Sequence, residues 1–102
     1  MVPQLLIGGQ VDVVAPVAIH SRAFFTQLPD ATPKLYAEIA GADHFFPRNA
    51  ATSQPASKLQ IAWIKRFADN DARYEQFLSA TGIQVDLANG RLSNSLREST
   101  PF

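Results

Sequence analysis

Two short apolar runs, each closed by glycine and separated by a helical stretch, constrain this chain more than any other feature. The first, "VPQLLIGG" from Val2 to Gly9, is nearly continuous in apolar residues, which suits a strand buried on both faces of a parallel sheet. The second, "KLYAEIAG" from Lys34 to Gly41, sets Leu35, Ala37 and Ile39 alternating against Tyr36 and Glu38. Between them Pro16, preset for a first helical turn, opens a segment in which Val17, Ser21, Phe24, Phe25 and Leu28 share one side, and "LPDATP" breaks it. Strand, helix and strand form a βαβ unit, with parallel strands and a right-handed crossover. Two parallel strands are too few to bury their own faces and edges. The chain therefore reads as the end of a longer α/β protein, incomplete as a fold.

Beyond the second strand, Pro55 is expected to introduce "ASKLQIAWIKRFADN", the clearest helix in the sequence. Leu59, Trp63, Ile64 and Phe67 fall on an apolar arc that suits packing on a sheet, with Lys58, Lys65, Arg66 and Asp69 opposite. "DARYEQFLSATG" predicts one or two further helical turns ending at Gly82. From Ile83 to Phe102 the pattern is polar and poorly periodic, with a turn expected at Asn89-Gly90 and a strand around "VDLA". Residues 1–82 are thus read as the body of the domain and residues 83–102 as a tail packed on it or loosely attached.

Composition narrows the function classes. With 46% hydrophobic residues the chain can build a core, and nine Lys plus Arg balance nine Asp plus Glu, leaving no basic field for a phosphate backbone. Nucleic acid is not an expected partner. Without cysteine there are neither disulfides nor thiolate metal sites. No apolar run reaches the roughly 18 residues of a membrane helix, and the first residues lack the basic start and apolar stretch of a signal peptide.

In open α/β sheets, reactive groups gather on the loops at the carboxyl ends of strands. Asp12 and His44 both lie there, each three residues beyond a strand-ending glycine. An acid followed by a histidine on successive parallel strands is the second half of the order Ser, Asp, His used by α/β-hydrolases. A serine hydroxyl is a weak nucleophile until a neutral imidazole accepts its proton, and a carboxylate fixes that imidazole's tautomer. No G-x-S-x-G occurs in this sequence, so two members of a triad are present without the nucleophile. From position alone, Asp12 reads more often as a turn residue or helix cap, and His44 more often as a polar strand end than as a base.

The stretches "VPQLLIGGQVDVVAPVAIHSRAFF", "GADHFFP" and "AWIKRFADNDARYEQFL", in that order and spacing, resemble the C-terminal part of the bacterial cutinase family. That family includes polyester-degrading hydrolases resembling PET hydrolase and is related to dienelactone hydrolases and lipases. The resemblance implies that Asp12 is the triad acid and His44 the base. It places Val14 and Phe45 on a shallow groove for acyl chains or aromatic polyester units, and His20 and Phe24 at a helix pair backing a groove aromatic. It further implies an ester or polyester substrate, secretion of the parent protein, and an N-terminal portion that supplies the nucleophile and oxyanion hole. Where many relatives close a C-terminal disulfide, this chain has Ser79 and Thr100, which leaves the tail without that tie. Where some relatives bind calcium it offers Gln10, Ala40 and Asn94, so neither metal nor cofactor is expected.

Plainer roles are assigned to the remaining candidates. His20 reads by itself as a packing histidine within the helix, Asp43 as a solvated loop acid, and Trp63 as core. Lys65, Arg66, Asp69, Asp71 and Arg73 form a salt-bridged face. Three functions are then compared: part of a serine ester hydrolase, inactive alone; a non-catalytic interaction module or one half of a split hydrolase; and a dienelactone hydrolase-like fragment with a cysteine nucleophile. The identity of the nucleophile separates the first from the third.

Overall fold

The computed structural model describes residues 2–102. Strand β1 (Gln4–Gly9) is followed by helix α1 (Ser21–Gln27), strand β2 (Lys34–Ile39) and a single 3-10 turn (Phe46–Arg48). Helix α2 (Ala50–Phe67), a second 3-10 turn (Ala72–Tyr74), the short helices α3 (Glu75–Leu78) and α4 (Ala80–Ala88) and strand β3 (Leu92–Glu98) complete the chain. The sheet order is β1-β2-β3, with β1 parallel to β2 in unbroken register from Gln4↔Lys34 to Gly9↔Ile39. β3 runs antiparallel to β2, with an irregularity at Glu38/Ile39. The expected βαβ unit is present inside a small α/β fold with a three-stranded mixed sheet.

β2 is buried along its whole length because both faces of the sheet are covered. Leu35, Ala37 and Ile39 enter an apolar core with Ala56, Leu59, Ala62 and Trp63 of α2, Leu78, Ile83 and Leu92. The alternate residues are polar yet equally buried, so each requires a bonded partner. Lys34, 1% exposed, extends under the end of α1 and donates to the carbonyls of Phe25 (2.8 Å) and Leu28 (2.7 Å). A cation at a helix C-terminus satisfies carbonyls that the helix itself leaves open. The Tyr36 hydroxyl donates to Glu38 Oε1 at 2.7 Å, and Ser93 Oγ donates to Glu38 Oε2 at 2.6 Å. Burial, reinforced by the Glu38 carboxylate, pushes the Tyr36 phenol above its ordinary range.

Several expectations are corrected. The helix read from Pro16 begins only at Ser21; residues around Pro16 form a turn, with His20 N–H bonded to the Pro16 carbonyl at 3.0 Å. His20 is therefore the N-cap position, not a residue inside the helix. Of the arc on α1, Phe25 is buried while Phe24 is half exposed. Pro55 lies inside α2 because Asn49 caps that helix ahead of it, its Oδ1 accepting from Ala51 N–H at 2.9 Å. Leu59 and Trp63 face the core as expected, but Ile64 is 59% exposed. Gly82 is interior to α4; a Cβ there would stand 2.1 Å from the Gln76 carbonyl oxygen, so its lack of a side chain permits close approach of α3.

The segment 83–102 departs most from expectation. "VDLA" is the end of α4, and the third strand is "LSNSLRE". The turn at Asn89-Gly90 is present, with Gly90 at φ +80°. The strand and the residues after it are tied to the body. Arg97 donates to the carbonyls of Leu78 (2.7 Å) and Phe102 (3.3 Å), and the Phe102 ring lies 6.4 Å from Trp63 and 6.0 Å from Phe67. Ser79 caps α4 by accepting from Gly82 N–H, and the Thr100 hydroxyl accepts from Arg97 and donates to the Phe102 carbonyl.

Lys34→Met should keep the length of the buried stem but leave the two α1 carbonyls without their donor. The expected cost is about 2–3 kcal/mol in a urea unfolding curve followed by Trp63 fluorescence.

Candidate active site

Because β1 and β2 run parallel in register, their carboxyl ends finish level, and the loops leaving them are bonded to each other. Gln10 N–H donates to the Ile39 carbonyl (3.0 Å) and Val11 N–H to the Ala42 carbonyl (2.9 Å). The Gln10 side chain accepts from Gly41 N–H at 2.9 Å. This approach requires Gly9: a Cβ there would lie 2.6 Å from the Ala42 carbonyl oxygen. The glycine that ends the strand thus lets the second loop pass close over the first.

Asp12 and His44 meet across these loops. His44 Nδ1 lies 3.1 Å from Asp12 Oδ2. The other carboxylate oxygen, Oδ1, accepts from the N–H groups of Val14 (2.9 Å) and Ala15 (2.8 Å), a turn in which the side chain bonds its own following backbone. Those bonds, that from Ala15 foremost and with His44 contributing, hold the Asp12 carboxyl below the usual carboxylate range. An ionised Asp12 selects the imidazole tautomer with its proton on Nδ1, which leaves the Nε2 lone pair as the basic site. The Asp12 side chain is 10% exposed and that of His44 44% exposed, so the acid is sheltered while the imidazole is accessible.

Both residues line an open cleft of about 460 Å³ that follows the unpaired edge of β1. Leu5, Leu6, Ile7 and Gly8 contribute from β1, His20, Ser21 and Phe24 from the α1 side, and Phe46 from the turn after His44. Of the expected groove residues, His20 and Phe24 are therefore in the cleft lining and contact each other edge to face, with ring centroids 6.0 Å apart. Val14 and Phe45 lie outside that lining, 61% and 55% exposed. Phe45 stands edge-on to the His44 ring at 5.5 Å and under the Arg48 guanidinium.

Three contributors escape a reading of the sequence. Gln10 stands out there only as a metal position, yet its carboxamide ties the loops together. Ala15 acts through its backbone N–H, for which an Asp in the loop just after a strand-ending glycine is the available signal. Phe46, beside Phe45 in "DHFFP", is the phenylalanine of that pair that lines the cleft. Among the described residues no group of three or more His, Cys, Asp or Glu side chains is arranged to hold a metal ion, and no helix is long and apolar enough to cross a membrane.

Known proteins share this sequence pattern. The family described as PET hydrolase-like matches residues 1–98. The chain is 47% identical over 77 residues to Cutinase 1 of Thermobifida cellulosilytica, covering 76% of this chain and 29% of that protein. It is 38% identical over 104 residues to Cutinase est1 of Thermobifida alba, covering 99% of this chain and 32% of that protein. It is 45% identical over 76 residues to bis(hydroxyethyl) terephthalate hydrolase of Streptomyces coelicolor, covering 74% of this chain and 24% of that protein. The chain spans under a third of the length of these relatives.

The loop geometry makes two effects measurable. Gly9→Ala should force the Ala42 carbonyl away and separate His44 from Asp12, seen by NMR as loss of the hydrogen-bonded Nδ1 proton of His44. Asp12, with its folded pKa lowered, should stabilise the fold above the ordinary carboxylate value of 3.8, a contribution lost as pH falls through the lower folded value. Asp12→Asn should remove this part of the acid dependence in a denaturation series across that range.

Proposed function

The chain belongs to the PET hydrolase-like family, and from that premise we propose that it is the acid-and-base part of a serine ester hydrolase. The observation that carries the reading is the 3.1 Å contact between His44 Nδ1 and Asp12 Oδ2, with Asp12 independently fixed by two backbone N–H groups. In the proposed reaction His44 Nε2 takes the proton of a serine hydroxyl as it attacks the ester carbonyl, then returns it to the departing alcohol. Asp12 holds the imidazole in orientation and stabilises its positive charge while it carries that proton. The serine and the oxyanion hole belong to a portion of the hydrolase beyond these 102 residues, where the family's nucleophile elbow would be supplied.

The substrate proposed is a carboxylic ester presented as a polyester, aliphatic or aromatic, by analogy with relatives named as cutinases and a terephthalate ester hydrolase. His20 and Phe24 in the cleft, with Val14 and Phe45 exposed at the same end of the sheet, would contact its acyl or aromatic groups. Secretion of the whole enzyme fits a polymer that cannot enter a cell. No cofactor is needed for this chemistry.

Assayed alone on a short-chain nitrophenyl ester, the 102-residue chain should give no turnover. A rate abolished by His44→Ala would show that a nucleophile is present within it and overturn the proposal. In the complete enzyme, His44→Ala should lower kcat by roughly 10⁴-fold or more. His20→Ala should chiefly raise KM.

A further inference from the structure

The turn that leads from α4 into β3 is built on Asn89 and Gly90, both exposed. Asn89 is the C-cap of the helix at φ −91° and ψ 4°, and Gly90 follows at φ +80°, a left-handed conformation that strains any residue with a side chain. The fold therefore favours glycine directly after this asparagine. No atom lies within 4 Å of where a Gly90 Cβ would stand, and the bond from Gly90 N–H to the Leu87 carbonyl is long, at 3.3 Å. Asn89 Oδ1 accepts from Arg91 N–H at 3.2 Å, which polarises the side-chain carbonyl and supplies a donor to an oxyanion formed there. The other asparagines lack this combination. Asn49, the cap of α2, precedes Ala50; Asn70 precedes Asp71; and Asn94, paired with Glu38 inside the sheet, precedes Ser95. A side chain on the following residue crowds any attack by its own nitrogen.

We infer that Asn89-Gly90 is a site of spontaneous modification, where the asparagine loses its amide nitrogen through a cyclic imide and becomes isoaspartate. The Gly90 nitrogen attacks Cγ of Asn89, the bond from Cγ to the side-chain nitrogen breaks, and the Gly90 proton passes by way of solvent to the departing ammonia. Closing the ring turns the Asn89-Gly90 peptide and gives up the bond to Leu87. Water then opens the imide, at Cγ to give aspartate or at the backbone carbonyl to give isoaspartate, so that one water is consumed for each ammonia released. The surroundings give the product its effect. The Arg91 guanidinium stands 3.6 Å from Oδ1 of Asp86, a carboxylate 1% exposed whose Oδ2 is bonded to Lys58 and whose Oδ1 accepts no hydrogen bond among the described residues. A new carboxylate at position 89 competes for that guanidinium and leaves Asp86 less compensated. The extra methylene that isoaspartate puts in the main chain displaces the Arg91 carbonyl, which accepts from Ala40 N–H at 3.0 Å. Conversion thus loosens the junction between α4, β3 and the end of β2. The inference does not depend on the esterase reading.

Held folded at mildly alkaline pH, the 102-residue chain should gain isoaspartate at residue 89, read by peptide mass mapping and by enzymatic methyl transfer to isoaspartate, while Asn49, Asn70 and Asn94 stay intact. Gly90→Ala should slow the conversion on the order of tenfold or more. Asn89→Asp supplies the charge without the extra methylene and should lower the midpoint of a urea unfolding curve, and the aged chain should fall further. Conversion confined to the urea-unfolded chain, an earlier change at another asparagine, aspartate without isoaspartate, or an aged chain as stable as a fresh one would overturn the inference. If Gly90→Ala fails to fold by circular dichroism, the order in which the four asparagines of the unaltered chain convert decides.

Discussion

The in-register parallel pairing of β1 with β2 is the constraint on which the rest of the structure depends. It brings Gly9 and Ile39 level, so the two loops beyond them leave the sheet at the same height and within bonding distance. Everything chemical in the molecule is placed by that coincidence of ends. A slip of one residue would reverse which side chains of β2 enter the apolar core and would carry His44 out of reach of Asp12. The core residues Leu35, Ala37 and Ile39 and the acid-base pair are consequently held by the same register.

The two faces of the sheet are stabilised by different physics. On the α2 face, Leu59, Trp63 and their neighbours exclude water from aliphatic side chains, and shape complementarity dominates. On the other face Lys34, Tyr36 and Glu38 are buried polar groups whose desolvation is offset only by specific bonds. The ammonium of Lys34 fastens α1 at its C-terminal end, and α1 in turn carries His20 and Phe24 to the cleft. A buried lysine distant from the chemistry thus helps to define one wall of the site.

The parts legible in the sequence are those in which a single local signal has no competitor. Both parallel strands are readable from apolar runs ended by glycine, and the nearness of Asp12 to His44 follows from their equal offsets beyond those ends. Elsewhere signals compete. Pro55 resembles a helix start, but Asn49 is a better cap and sits upstream of it. Gly82 resembles a helix stop, yet it serves a close helix crossing. "LSNSLRE" shows almost no hydrophobic alternation, because β3 gains its place from backbone pairing with a buried strand and from Ser93 and Ser95 bonding to β2. "VDLA" shows more strand propensity than β3 does, and α4 absorbs it because Ser79 supplies a cap at the right distance.

The Asp12–His44 pair is asymmetric in how its two members are held. Asp12 has three partners, two of them backbone N–H groups from its own turn, so its carboxylate keeps its position whether or not His44 is bonded to it. The ring of His44 has one hydrogen-bond partner among the described residues, Asp12, and an edge contact with Phe45. Orientation therefore passes from the turn to the Asp12 carboxylate and from the carboxylate to the imidazole. The imidazole is preorganised by the strand ends themselves, which is the condition that the proposed proton transfer to His44 requires.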